Sequence, residues 1–380
     1  MDKIENINVQ RILWCCDFKR VSIDDLSRAL GIAKNTIDKL IDGSDSLTYN
    51  QLRKLANYFD RGVLFFLEET PPVDSQVLSA AFRTIANQKV DLDSSTKALV
   101  QRAEKQREIY AALVEDLDDP PPPFVPPDIS EEPIRASAQV RKWLGLSDRN
   151  DFKSFRAAIE NKGILVFLTN GFQGKWQIPK KNPILGFSLY DPKLPLVVVK
   201  KAQQESRQSF TLMHELAHIL IHRASVIDDE SDFASYTGHE RVANEFAAHV
   251  LLPDSLLSQI QLQEKPSNVE QFDDWLRIYR NRWGVSTEVM LLRLLSNHRV
   301  SQDEYDDYKY WMSSRQDVEN TDGVRLYRHR EPRNIFGDRY VRSVLEALDQ
   351  ERITINKASK FLDGLKLSDI RKLESYCATY

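Results

Sequence analysis

The sequence predicts an α+β fold: an all-helical N-terminal region, a middle region with a small sheet, and a helical C-terminal region. Three observations predict it. Residues 1–70 read as compact and helical throughout. Gly163–Leu168, Ile184–Tyr190 and Leu194–Lys200 carry the β-branched and aromatic content of strands. Phe210–His222, F-T-L-M-H-E-L-A-H-I-L-I-H, is apolar on nearly every side of a helix, as a buried helix is.

Composition sets outer bounds. The 380 residues suffice for two or three domains, and 42% apolar with 28% charged content is ordinary for a soluble globular protein. A net charge of −4 argues against a whole-chain polyanion binder. Cys15 and Cys16 are adjacent and Cys377 is remote, so no disulfide framework is expected. The first residues lack the apolar core of a signal peptide, and no apolar run approaches the roughly 20 residues that span a bilayer. A cytoplasmic protein with no membrane partner is the expectation.

The first element group, Val21–Gly43, has helix-turn-helix spacing. Ser22 caps a helix over Leu26, Ala29 and Leu30, Gly31 makes the turn, and Ala33–Ile41 would be the reading helix. Tyr49–Asp60 adds a packing helix. This module resembles an Xre/Cro-type domain. DNA binding needs a basic face. Residues 1–70 instead hold ten Lys or Arg against eleven Asp or Glu. The reading helix offers Lys34, Asn35, Thr36 and Lys39, yet also Asp38. A DNA partner and a protein-binding or dimerising role, including a homodimer, both stay open.

A helical stretch, Ser75–Leu117, comes next. Six prolines in Asp119–Asp128 favour a stiff polyproline spacer, and a domain boundary is expected there. The expected order is 1–70, a helical spacer and linker over 71–127, a main domain over 128–320, and a basic segment with a helical tail over 321–380. The main domain should open with a helix over Asp151–Asn161, followed by the three strands.

Then comes H-E-x-x-H. His214 and His218 are four apart and project from one helical face, as two ligands of one zinc ion must. Glu215 can take a proton from a metal-bound water. Burying two imidazoles and a carboxylate without partners would be costly, so Zn2+ is the expected cofactor. Metzincin spacing would need Gly at 221 and His at 224, where Ile221 and Ala224 stand. A third ligand is sought in His239–Leu252, a helix ended by Pro253. Val242, Ala243, Phe246, Ala247, Val250 and Leu251 define its apolar face. Glu240 borders that face, so it is assigned as the third metal ligand. Asn244, one turn on, is placed to hydrogen-bond a ligand histidine. Glu245 and His249 fall on the solvent side. His222, one more turn along the same face, is expected to cap the helix end or face solvent, with a fourth-ligand role as the alternative. Arg207, Tyr236 and His239 are candidates to stabilise an oxyanion.

At these two motifs the sequence resembles the ImmA/IrrE family of zinc metallopeptidases. The likeness rests on R-Q-S-F-T-L-M-H-E-L-A-H-I-L-I-H (Arg207–His222) and E-R-V-A-N-E-F-A-A-H-V-L-L-P (Glu240–Pro253), with W-G-V-S-T-E-V-M-L-L-R-L (Trp283–Leu294) further on. Val242 and His249 stand where the family often has other residues. The resemblance implies a zincin-like metallopeptidase domain, Glu240 as metal ligand, and Glu215 as catalytic residue. It also implies a protein substrate or partner. Some relatives cut, or promote loss of, helix-turn-helix repressors; others sit beside toxin genes and resemble antitoxins.

The last region holds six arginines in Arg325–Arg342, against Glu331 and Asp338, with Tyr327, Phe336 and Tyr340 interleaved. Nucleic acid, a solvated face and an acidic partner are all compatible with that pattern. Thr354–Tyr376 reads as two short helices.

Overall fold

The computed structural model describes residues 3–19, 21–59, 61–70, 72, 92–233, 235, 237–314, 325 and 327–379. They belong to two compact units, Met1–Gln101 and Arg102–Tyr380.

The first unit is helical: α1 (Val9–Lys19), α2 (Ile23–Leu30), α3 (Lys34–Ile41) and α4 (Tyr49–Tyr58), closed by a 3-10 turn over Val63–Phe66. The Ser22 hydroxyl accepts the Asp25 amide at 3.1 Å and starts α2. Gly31, at φ 60°, ends it in the left-handed region that glycine tolerates. Ile12, Leu26, Ile37, Leu52, Leu55 and Phe66 form a fully buried core. On α3, Lys34 pairs with Asp24 at 2.6 Å, which withdraws one of the few cations a DNA backbone would use.

Helix α5 (Ser94–Asp116) runs across the division between the units. The expected helix over Ser75–Leu117 is present from residue 94; its earlier part, residues 75–91, lies outside the described residues. The proline segment taken as an interdomain spacer lies within the second unit. Phe124 is buried there, and Phe124 N would stand 2.7 Å from a Cβ on Gly163, just before β1.

The second unit opens with α6 (Pro133–Leu144) and α7 (Phe152–Glu160) and is built on a four-stranded sheet. Its strands are β1 (Leu165–Leu168), β2 (Ile184–Leu189), β3 (Leu196–Val199) and β4 (Val226–Asp229), in the order β1-β3-β2-β4. β1 and β3 are parallel; β2 is antiparallel to both β3 and β4. Every residue of β1, β2 and β3 is buried, so both faces of the sheet are covered.

One face meets α8 (Glu205–Ala217), whose last turn, His218–His222, widens to a π turn. Val166, Leu168, Val197 and Val199 share a core there with Leu212, Leu216 and Ile219. α9 (Glu230–Phe233) and α10 (Gly238–Leu251) follow. Next come α11 (Asp254–Leu257), α12 (Phe272–Trp283), α13 (Thr287–Ser296) and α14 (Gln302–Ser314).

The opposite face is covered from the far end of the chain by α15 (Glu331–Asp349), followed by α16 (Ile355–Phe361) and α17 (Leu367–Thr379). Phe167 of β1 makes edge contacts with Phe336 at 5.4 Å and Tyr340 at 6.0 Å. Buried Arg156 donates to the carbonyls of Asn334 at 2.8 Å and Ile335 at 2.9 Å, and pairs with buried Glu160 at 3.0 Å. Within the segment read as a basic stretch and helical tail from residue 321, the aromatic side chains of α15 complete the sheet's core. Four of the six arginines there are engaged internally. Arg325 and Arg328 pair with Glu331, Arg333 pairs with Asp338, and Arg330 lies over the rings of Tyr327 and Tyr376. This pattern describes a cross-tied surface better than a free polyanion grip. Among the described residues, no helix is long and apolar enough to cross a membrane.

Candidate metal centre

α8 places His214, Glu215 and His218 against the sheet, each 0% exposed. α10 packs beside α8 and brings Glu240 and Asn244. β4 brings a residue not foreseen from the sequence, Asp228, 1% exposed. His214, His218, Asp228 and Glu240 each offer one ligand-type atom, all within 4.8 Å of one another.

The individual separations are tight. His218 Nε2 lies 3.2 Å from His214 Nε2. Glu240 Oε2 is 3.2 Å from His214 Nε2 and 3.5 Å from His218 Nε2. Asp228 Oδ2 is 3.5 Å and 3.4 Å from the same two atoms.

Outer partners aim these atoms. His214 Nδ1 is 2.9 Å from Asn244 Oδ1. The Asn244 amide nitrogen donates to the carbonyls of Asp232 and Phe233, each at 3.2 Å, so its oxygen is the atom left to accept from the imidazole. His218 Nδ1 is 2.9 Å from His222 Nδ1. Burial first, then the neighbouring His218, lowers the His222 pKa to about 4, which suits a neutral ring that accepts. His214 and His218 are thus both held by Nδ1 and present Nε2 to the cluster. This is how metal-ligating histidines are usually oriented.

The donor set fits a divalent cation. Two imidazole nitrogens and two carboxylates point lone pairs at one another, an arrangement that needs positive charge between them. Burial by itself would lower the His214 pKa, but the carboxylates of Asp228 and Glu240 facing it raise it to about 9, so the cluster attracts positive charge. Burial tends to raise Glu240, yet hydrogen bonds from His214 and His218 hold it well below the usual carboxylate range.

Glu215 sits beside the cluster. Burial, then the charge of Asp228, push its carboxyl well above the usual range. Among the described residues neither its oxygens nor those of Asp228 have a hydrogen-bond partner. Space for Glu215 comes from β2: a Cβ at Gly186 would stand 2.6 Å from Glu215 Oε1. Gly186 is also the register partner of Asp228, so the two face the same side of the sheet.

The other expectations fare unevenly. His222 lies behind His218, not among the converging atoms. His239 is exposed and stacks on His222 with ring centroids 4.3 Å apart. Arg207 is exposed and pairs with Glu230 at 3.2 Å, which directs it away from an oxyanion role. Tyr236 lies outside the described residues. Glu245 pairs with Arg241 at 3.0 Å on the rim of α10. His249 is a correction: expected on the solvent side, it is 5% exposed. Its face of α10 is covered by α6 and α13, where Arg141 donates to the Val250 carbonyl and Arg293 to that of Leu252. Asp228 was missed because β4 is short and its V-I-D-D lies in a stretch that reads as polar loop. The available signal was the β-branched pair Val226–Ile227 inside an otherwise polar stretch.

Residues 161–295 match the family model of the IrrE N-terminal-like domain, a peptidase family designated M78. The match contains every residue of the cluster. Over 83 residues the chain is also 34% identical to "Uncharacterized immunity region protein 2" of Bacillus phage phi105, covering 21% of this chain and 52% of that protein. The chain thus spans about half the length of the curated relative it matches.

Proposed function

We propose that the second unit is a zinc-dependent endopeptidase acting in the cytoplasm on a protein target, a helix-turn-helix repressor or a partner toxin. It would serve mobile-element, stress or phage-defence regulation. The observation that carries this reading is the convergence of His214, His218 and Glu240 beside the buried Glu215. The peptidase-family match over residues 161–295 supports it, and the likeness to a protein named for a phage immunity region supports the regulatory setting.

In this reading His214, His218 and Glu240 would hold the metal. Zinc would supply a Lewis acid for the scissile carbonyl and an acidified water as nucleophile. Glu215 accepts a proton at its carboxylate and later delivers it to the leaving amine. Gly186 leaves the room that this carboxylate occupies. Asn244 and His222 hold the histidines in the tautomer that presents Nε2. The test is Glu215→Gln. It is expected to retain zinc while all biological activity is lost; full activity in that variant would refute the endopeptidase reading.

A second reading is favoured by the burial of the cluster: an antitoxin or transcriptional regulator that acts by binding, with a non-catalytic zinc site. Under it the Glu215→Gln chain keeps its regulatory effect. We assign the N-terminal unit a protein-binding or homodimerising role ahead of a DNA role, on its net charge and the Lys34–Asp24 pair. A gel shift at low salt with the chain's own promoter tests this. Retardation would restore DNA as the partner.

A further inference from the structure

We infer that Asp228 is a fourth metal ligand, which makes the resting site closed. The inference rests on the metal-centre reading above and adds to it a residue and a state.

Four ligands at about 2.1 Å from a tetrahedral zinc ion lie about 3.4 Å apart. The structure supplies five of the six edges of such a figure. The His214–His218 edge is 3.2 Å, the two histidine–Glu240 edges are 3.2 and 3.5 Å, and the two histidine–Asp228 edges are 3.5 and 3.4 Å. The sixth, between the two carboxylates, is no longer than 4.8 Å, so Asp228 Oδ2 can take the corner that a three-ligand catalytic site leaves to water.

An outer role for Asp228, accepting a ligand histidine's second N–H, does not fit. Those nitrogens are already engaged, His214 Nδ1 by Asn244 and His218 Nδ1 by His222. Asp228 faces the Nε2 atoms instead. It is 1% exposed, and neither of its oxygens has a hydrogen-bond partner among the described residues. A buried carboxylate in that condition needs a cation. Its place in β4, in register with Gly186, fixes it on the face that α8 covers.

A closed set has no exchangeable position. The four-ligand form is then a resting form, and cleavage requires Asp228 to leave the cluster. Asp228 lies on the edge strand, which is paired on one side only, by β2. Its displacement breaks fewer ladder bonds than the same movement in β2 or β3, which are paired on both sides, would.

The full-length chain loaded with Co2+ gives the test, with acetohydroxamate as the probe. Wild-type d–d bands are expected to be unchanged by the probe, while Asp228→Asn and Asp228→Ala show bands that shift on its addition. Zinc affinity by competition with a chelator should fall at least ~10-fold in both variants, since even outer partners cost that much. Circular dichroism identifies a variant that has failed to fold, and the wild-type probe experiment stands without either variant. Binding of acetohydroxamate by the wild-type Co2+ chain, or unchanged zinc affinity and spectrum in a folded Asp228→Asn chain, overturns the assignment. A wild-type chain that takes up no divalent ion overturns the metal reading itself.

Discussion

The carboxylate of Glu215 occupies the space where residue 186 would carry a side chain: a Cβ there would stand 2.6 Å from Glu215 Oε1, 2.8 Å from Thr211 Cγ2 and 3.1 Å from the Val198 carbonyl oxygen. Glu215 can swing away, but the Val198 carbonyl is held in the ladder. Gly186→Ala is therefore expected to cost about 1–3 kcal/mol of stability by overpacking. It should also displace Glu215 while the metal is retained. Chemical denaturation and elemental analysis of the purified variant check both parts.

The two acidic residues of α10 are separated by metal content. Glu240→Ala should lose most bound zinc, while Glu245→Ala, which removes only a rim pair with Arg241, should bind as the parent does. Asn244→Ala should lie between, at about 10–100-fold weaker affinity, because it leaves His214 Nδ1 without its acceptor. Loss of zinc only in Glu245→Ala would refute the assignment.

His222 is expected to orient and not to ligate. His222→Phe should weaken zinc about 10–100-fold through loss of the contact to His218 Nδ1, with a stoichiometry still of one. A competition titration reads the affinity, and X-ray absorption reads the number of imidazoles, which should not change.

Arg156 tests whether the C-terminal helix belongs to the sheet's core. Arg156→Ala leaves Glu160 unpaired and removes donors to the carbonyls of Asn334 and Ile335, so a loss of about 3–5 kcal/mol is expected. Burial raises the Glu160 carboxyl above its unfolded value, so the folded state holds the proton more tightly. The part of the penalty that comes from the Glu160 charge should thus be absent below about pH 4 and grow as pH rises, while the part from the lost carbonyl donors persists at every pH. Urea midpoints across acid and neutral pH give the measurement.

Thiol chemistry reports on the N-terminal unit. Burial pushes the Cys15 thiol up to about 12 and the Cys16 thiol up to about 11. Both should resist alkylation until that unit opens, whereas the half-buried Cys377 should label first. Mass spectrometry along a denaturant series follows the order.

Much of the site was legible because its spacing is helical. His214 and His218 declare themselves by their separation, and Glu240 by bordering an apolar face. The wheel argument failed at His249 because it assumed one buried face, whereas α10 is packed on two. Asp228 was illegible for a different reason. Its role depends on β4 pairing with β2 across more than 35 residues of chain, and nothing local in V-I-D-D announces that partner. The first three strands were legible by content, since strands buried on both faces read as apolar runs. What covers their second face was not, because Phe336 and Tyr340 sit in a stretch dominated by arginine.

That cover sets a timetable for the chain. Phe167 can pair with its neighbours in β1 and β3 early, and α8 follows β3 directly. Its aromatic partners Phe336 and Tyr340 come some 170 residues later. During synthesis the helix that carries the two histidines can therefore settle on its side while the reverse of the sheet stays bare. Such a half-built layer is prone to aggregate and is the kind of surface that chaperones hold. A premature stop between α10 and α15 would leave His214, His218, Asp228 and Glu240 in place and still yield a protein that does not stay in solution.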